Sequence, residues 1–150
     1  MNSLVRFLGI LIVALAPTVA FGGPVEEAGA LVDLWSAAYT SNDPEAVVKN
    51  YASDAILLGT VSPVMSVGTE AIRSYFSRLK GSGNKNAIGD KRTILISDNA
   101  VLVTGFYEFT SMQDGKPTAR PSRFTMLVTK HDGEWHIAHH HSSPHVQPTK

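Results

Sequence analysis

Histidines crowd the end of this chain: His136, His139, His140, His141 and His145. An imidazole changes charge near neutral pH and both gives and takes hydrogen bonds, so it suits acid–base work, ligand binding or metal ligation. Side chains alternate along a strand, so on a regular strand His139 and His141 share a face with Trp135 and Ile137. His136 and His140 then point the other way. A zinc site needs a third and a fourth ligand with a hydrogen-bonded second shell, and none is identifiable, so no metal is expected. What remains for His139 and His141 is a pair lining a pocket, an acid or base, or a structural role.

Arg123 opens an apolar run, Phe124-Thr125-Met126-Leu127-Val128. An arginine so placed either sits in water at a sheet rim or turns inward to meet an anion; Arg92 is a similar case. Tyr51, Tyr75 and Tyr107 bring hydroxyls that can reach a pocket, although a tyrosine on an apolar face is more often core with its hydroxyl at the edge. Trp35 and Trp135 read as core. Asp54 and Glu108 are the carboxylates nearest predicted sheet, each a solvated strand end or a general base. There is no glycine-rich phosphate loop, no serine nucleophile elbow and no cysteine, so no cofactor is expected.

The elements that must position these groups are legible in sequence order. Ala28, Leu31, Val32, Leu34, Trp35, Ala38 and Tyr39 make one stripe of an amphipathic helix over 24–40, with Pro24, Glu26 and Glu27 suited to its start. Asp43 caps a second, short helix with Pro44 at its first position, and Ala46, Val47, Val48 and Tyr51 form its apolar side. A β-favouring run, Ala55 to Leu58, precedes a turn at Ser62-Pro63. Gly68-Thr69-Glu70 starts a third helix, which Gly81-Ser82-Gly83-Asn84 ends. Four strands follow, over 86–97, 100–112, 120–130 and 134–142, with Asn, Asp and Gly in the turns. Helices first and hairpin-linked strands after predict an α+β fold with about three N-terminal helices packed on a curved antiparallel sheet.

The first residues differ from the rest. Arg6 lies in a short polar head, Phe7 to Ala16 is almost wholly apolar, and Pro17-Thr18-Val19-Ala20-Phe21-Gly22 follows. That pattern predicts a signal peptide over 1–22, cut after Ala20 or Gly22, and a periplasmic or secreted product with no membrane attachment after cleavage. The apolar run is shorter than the roughly 20 residues of a bilayer span, and Pro17 breaks it. Without cysteine there is neither a lipid attachment site nor a disulfide. The chain's 150 residues argue for one domain, over 23–144, with a polar tail over 145–150. Thirteen basic and 13 acidic residues cancel, so no nucleic-acid partner is expected.

Taken together, Leu34-Trp35, Asn42-Asp43-Pro44, Tyr51-Ala52, Asp54-Ala55, the Ile72…Tyr75-Phe76 helix and the ending Asp132-Gly133-Glu134-Trp135…His139-His140-His141-Ser142-Ser143-Pro144 resemble the nuclear transport factor 2-like (SnoaL-like) superfamily. Within it the chain is most similar to the association, or hub, domain of calcium/calmodulin-dependent protein kinase II and its free-standing bacterial relatives. The resemblance implies a cone whose curved sheet encloses a pocket, and pairing through the sheet into homodimers or larger oligomers. His139 and His141 match that family's His-x-His, and Ser122-Arg123-Phe124-Thr125-Met126 resembles a stretch of the bacterial relatives. Arginines that line the animal domain's pocket fall at Glu108, Met126 and Ser142, so an acidic ligand would need its charge partner elsewhere, from Arg123 or Arg92. The expected activity is that of a binding and assembly module that takes a small polar or anionic molecule on Arg123, His139, His141 and Tyr107. The alternative is a cofactor-free isomerase, dehydratase or cyclase that moves a proton with a histidine or with Asp54 or Glu108, in the manner of ketosteroid isomerase.

Overall fold

Gly23 leads into helix α1 (Pro24–Thr40) without a side-chain cap, and Pro24 needs no partner at the first turn because it has no N–H to satisfy. The computed structural model of the protein describes residues 22–146, so all but the last residue of the expected leader lies outside it, as do positions 147–150. Asp43 accepts a hydrogen bond from the Glu45 N–H at 3.0 Å and so caps α2 (Pro44–Val48). That helix ends sooner than its apolar pattern suggests. Tyr51, expected on its flank, instead opens strand β1 (Tyr51–Leu58).

A three-residue strand, β2 (Met65–Val67), comes before α3 (Gly68–Phe76), which runs on through a short 3₁₀ turn over Ser77–Leu79. Then come β3 (Lys85–Ser97), β4 (Ala100–Gln113), β5 (Lys116–His131) and β6 (Glu134–Pro144). β5 starts before the expected 120, because the β4–β5 connection is a two-residue turn at Asp114 and Gly115, both with positive φ. The six strands lie in the order β2-β1-β6-β5-β4-β3. Every pairing is antiparallel except β1 with β6, which is parallel, so the curved sheet is mixed rather than purely antiparallel.

The helices cover one face of this sheet. Ala28, Val32 and Trp35 of α1 are buried against Val101 and Val103 of β4, Phe124, Met126 and Val128 of β5, and Ile137 of β6. Polar ties fix the first turns of α1 to the sheet. Glu27 accepts from Trp135 Nε1 at 2.6 Å and from Lys130 Nζ at 3.1 Å, and these bonds hold its carboxyl below the usual range. Lys91 reaches from β3 to the Gly29 carbonyl at 3.0 Å. The sheet bends where β3 and β4 slip register between Ile88 and Lys91, opposite Gly105. A Cβ at Gly105 would run into the Asp90 carbonyl oxygen, so this bend requires glycine. Among the described residues no helix is long and apolar enough to cross a membrane.

Candidate functional site

β5 and β6 pair residue for residue except in one place. Leu127 lies opposite His139 and Val128 opposite Ile137, which leaves Ala138 without a partner. Such a bulge shifts the alternation of side chains by one residue. Ile137 is buried on the inner face, and beyond the bulge His140 and Ser142 join it there, with His140 opposite Met126 and Leu57. The strand geometry expected from the sequence is therefore corrected: His139 and His141 do not share the face of Ile137. They pair with Leu127 and Thr125 of β5 and with Ile56 and Leu58 of β1, on the outer face.

His140 is the centre of a buried polar chain. Trp35 Nε1 donates to the Tyr51 hydroxyl at 2.9 Å, which stands 2.8 Å from His140 Nδ1. Nε2 of the same ring is 3.2 Å from the Tyr107 hydroxyl. Burial disfavours the imidazolium, with the neighbouring His139 and His141 adding to the effect, and pushes the His140 pKa down to about 3. Its ring is neutral at physiological pH, and the protons then distribute in one direction only. Tyr51 already accepts from Trp35 and, among the described residues, its own proton meets Nδ1, so Nε2–H donates to the Tyr107 oxygen; Ser142 and Thr60 lie beside that hydroxyl and favour its ionised form. Ser142 and Thr60 are themselves hydrogen-bonded to each other. Burial raises the pKa of both Tyr51 and Tyr107, so each stays a phenol.

This chain ends in a cavity of about 140 Å³. Tyr107, His140, Ser142 and Thr60 line its polar part, and Trp35, Tyr39, Tyr75, Phe76 and Phe109 supply aromatic walls. Arg78 and Arg120, both exposed, line it from the solvent side, with Arg120 close enough to Tyr39 and Tyr75 to favour their ionised forms slightly against the opposing effect of burial. Gly59 lets the wall close: a Cβ there would overlap the Tyr75 ring. None of the described residues lining the cavity is an aspartate or glutamate. Chemically the site has two fixed positive charges, several hydroxyls and a neutral imidazole, which is a lining for an anion.

Of the residues singled out in the sequence, Tyr107 lines this cavity. Arg123 does not: it is exposed on the outer face, where its Nε donates to Ser143 at 3.1 Å beside His141 and Thr125. Arg92 pairs with Thr104 and is exposed. Asp54 lies in a separate open groove with His136 and Asp132, and Glu108 is exposed on the face that carries Phe106. No three His, Cys, Asp or Glu residues gather as a metal-ligand set among the described residues.

A sequence profile of the SnoaL-like domain matches residues 29–147, nearly everything that builds the cavity. The chain belongs to the SnoaL-like family. Among solved structures, this SnoaL-like domain is similar to a candidate calcium/calmodulin-dependent protein kinase II association domain from Xanthomonas campestris. The two are 34% identical over 87% of this chain and 93% of that one, with a TM-score of 0.76. More distant likenesses carry the fold alone. One is a ketosteroid isomerase-like protein from Erwinia carotovora atroseptica, 20% identical over 85% of this chain and 100% of that one, TM-score 0.70. Another is a candidate scytalone dehydratase from Novosphingobium aromaticivorans, 13% identical over 81% and 83%, TM-score 0.72. No curated protein matches the chain.

Sequence reasoning missed His140, Ser142, Thr60, Arg78 and Arg120. One of these had a usable signal: Arg120 has the same parity as Phe124, Met126 and Val128, whose apolar spacing marks the inner face, whereas Arg123 has the opposite parity. His140 had none, because nothing in Ile137-Ala138-His139-His140-His141 marks Ala138 as the extra residue of a bulge.

Proposed function

We propose that this SnoaL-like domain is an exported, self-associating module that holds a small anionic molecule in its cavity. The observation that carries the binding reading is the lining: Arg78 and Arg120 beside Tyr107, Thr60 and Ser142, with no carboxylate among the described lining residues to repel an acid. The same lining favours binding over proton abstraction. His140 is a weak base with both ring nitrogens engaged, and the carboxylates weighed as bases, Asp54 and Glu108, face other surfaces.

Two further observations support the rest of the reading. The outer face of the sheet leaves Ile94, Ile96 and Phe106 about half exposed, an apolar strip of the kind that a second copy covers, and a similar protein from Xanthomonas campestris is named an association domain. The leader-like run from Phe7 to Ala16 supports export to the periplasm or the medium. Native mass spectrometry of the protein, expressed from Met1 in a Gram-negative host, tests all three parts at once. The expected species is a chain shortened at Ala20 or Gly22, assembled as a dimer or larger and carrying a small acid. An uncut, empty monomer overturns the proposal.

A further inference from the structure

The direction of the buried hydrogen-bond chain restricts what the inner end of the ligand can be. Trp35 Nε1 can only donate, so the protons after it are committed: Tyr51 to His140 Nδ1 and Nε2–H to the Tyr107 oxygen, which leaves the Tyr107 proton at the cavity beside the hydrogen-bonded Thr60–Ser142 pair. Within that pair one hydroxyl donates to the other, and the receiver still has its own proton. Beside them stands Tyr107, whose oxygen already accepts from Nε2–H and whose hydroxyl brings a proton of its own. Ser142 is buried and Thr60 half-buried, and both line the cavity, so that last proton is offered to whatever fills it. The arginines are donors only, so the polar groups at both ends of the cavity ask for acceptors. A cavity of about 140 Å³ is close to one that holds a benzene-sized molecule, which sets the ligand at about six to nine heavy atoms.

We propose that the ligand is a small oxo acid, its carboxylate held at Arg78 and Arg120 and a carbonyl oxygen accepting from Thr60 at the inner end beside Tyr107 and Ser142. The inference rests on the anion-binding reading above and goes beyond it by fixing the second functional group. A ligand with an ammonium or amide N–H at that end would set donor against donor and leave the terminal hydroxyl unpaired.

Calorimetric titration of the purified protein with three acids of one chain length tests it: levulinate, pentanoate, and the amino acid in which an ammonium replaces the keto group of levulinate. Levulinate is expected to bind about tenfold tighter than pentanoate, the worth of one satisfied hydrogen bond, and the ammonium compound more weakly than either. In Thr60→Val the levulinate advantage is expected to vanish while pentanoate affinity stays, and retained pentanoate binding shows that the variant is folded. Equal affinities for levulinate and pentanoate, or preference for the ammonium compound, overturn the proposal and leave the anion-binding reading intact. Failure of all three acids to bind overturns both.

Discussion

Arg120 and Arg123 stand three residues apart on β5 and on opposite faces of the sheet, the first lining the cavity and the second bonded to Ser143 outside it. An odd separation on a strand has that consequence wherever no bulge intervenes, and β5 pairs with β4 without a slip from Lys116 to Thr129. The two arginines should therefore separate cleanly in a binding assay. Arg120→Gln is expected to weaken pentanoate binding by about tenfold or more, the loss of one charge-assisted hydrogen bond. Arg123→Gln should leave the calorimetric affinity unchanged within about twofold, since its removal disturbs only an exposed contact. The reverse pattern would place the ligand on the outer face.

The neutral state of His140 links stability to pH. Its folded pKa of about 3 lies below the ordinary imidazole value, so the unfolded chain takes up a proton that the folded chain refuses. The stability tied to this neutral ring is fully present above about pH 6.5 and is lost as pH falls toward the folded value, at a slope approaching about 1.4 kcal/mol per pH unit. Urea denaturation at a series of pH values measures the slope. In His140→Gln, which cannot titrate, the dependence between pH 6 and pH 4 should flatten, with the shared contribution of carboxylates left in both proteins.

The buried chain around His140 also predicts what its loss does at constant pH. His140→Ala removes the partner of Tyr51 and the donor to Tyr107, two hydroxyls that are almost fully buried, and leaves a hole beside Trp35. A cost of about 2–4 kcal/mol follows from the unpaired groups and the cavity together. His141→Ala, exposed on the outer face, should change stability by less than about 0.5 kcal/mol. Chemical denaturation of the pair reads the contrast directly.

The bulge at Ala138 explains why the fold was more legible than the site. Helix starts announce themselves through Pro24 and the Asp43-Pro44 cap, and hairpins through Asp114-Gly115 and Asp132-Gly133, because each needs a particular residue type at a particular backbone angle. β2 has no such mark, being three residues long with Met65 and Val67 exposed. A bulge in β6 needs no special residue at all. Yet it decides which of three consecutive histidines faces inward, and through it the whole polar chain from Trp35 to Thr60. Arg78 was hidden for a different reason: it sits in the 3₁₀ turn after α3, where helical spacing no longer says which way a side chain points.

The bend opposite Gly105 makes a test of how the cavity is shaped. An added methyl group there meets the Asp90 carbonyl oxygen and the Lys91 Cα, backbone atoms that cannot rotate away. Gly105→Ala should therefore cost about 1–3 kcal/mol, as overpacking does when main chain must move. Gly81→Ala is the useful contrast, since its Cβ would meet nothing within 4 Å and the penalty comes from a positive φ of 67° alone. That penalty is expected near about 1 kcal/mol. Equal losses in thermal or urea unfolding would mean that the β3–β4 slip absorbs the methyl group.

Phe106 decides whether the outer face is an interface. It is 45% exposed and stacked on His145 at a centroid distance of 4.6 Å, and Ile94 and Ile96 on β3 are 52% and 59% exposed. Beyond the stacking on His145 a monomer gains little from this strip, so a charge placed in it should be tolerated by the fold and rejected by an assembly. Phe106→Glu is expected to shift the mass in light scattering after gel filtration from dimer or larger to monomer, with pentanoate affinity retained because the cavity lies on the other side of the sheet. If the mass stays that of an oligomer, the copies meet elsewhere. If the parent protein is itself monomeric at high concentration, the self-association half of the proposed function falls while the binding half stands on its own measurements.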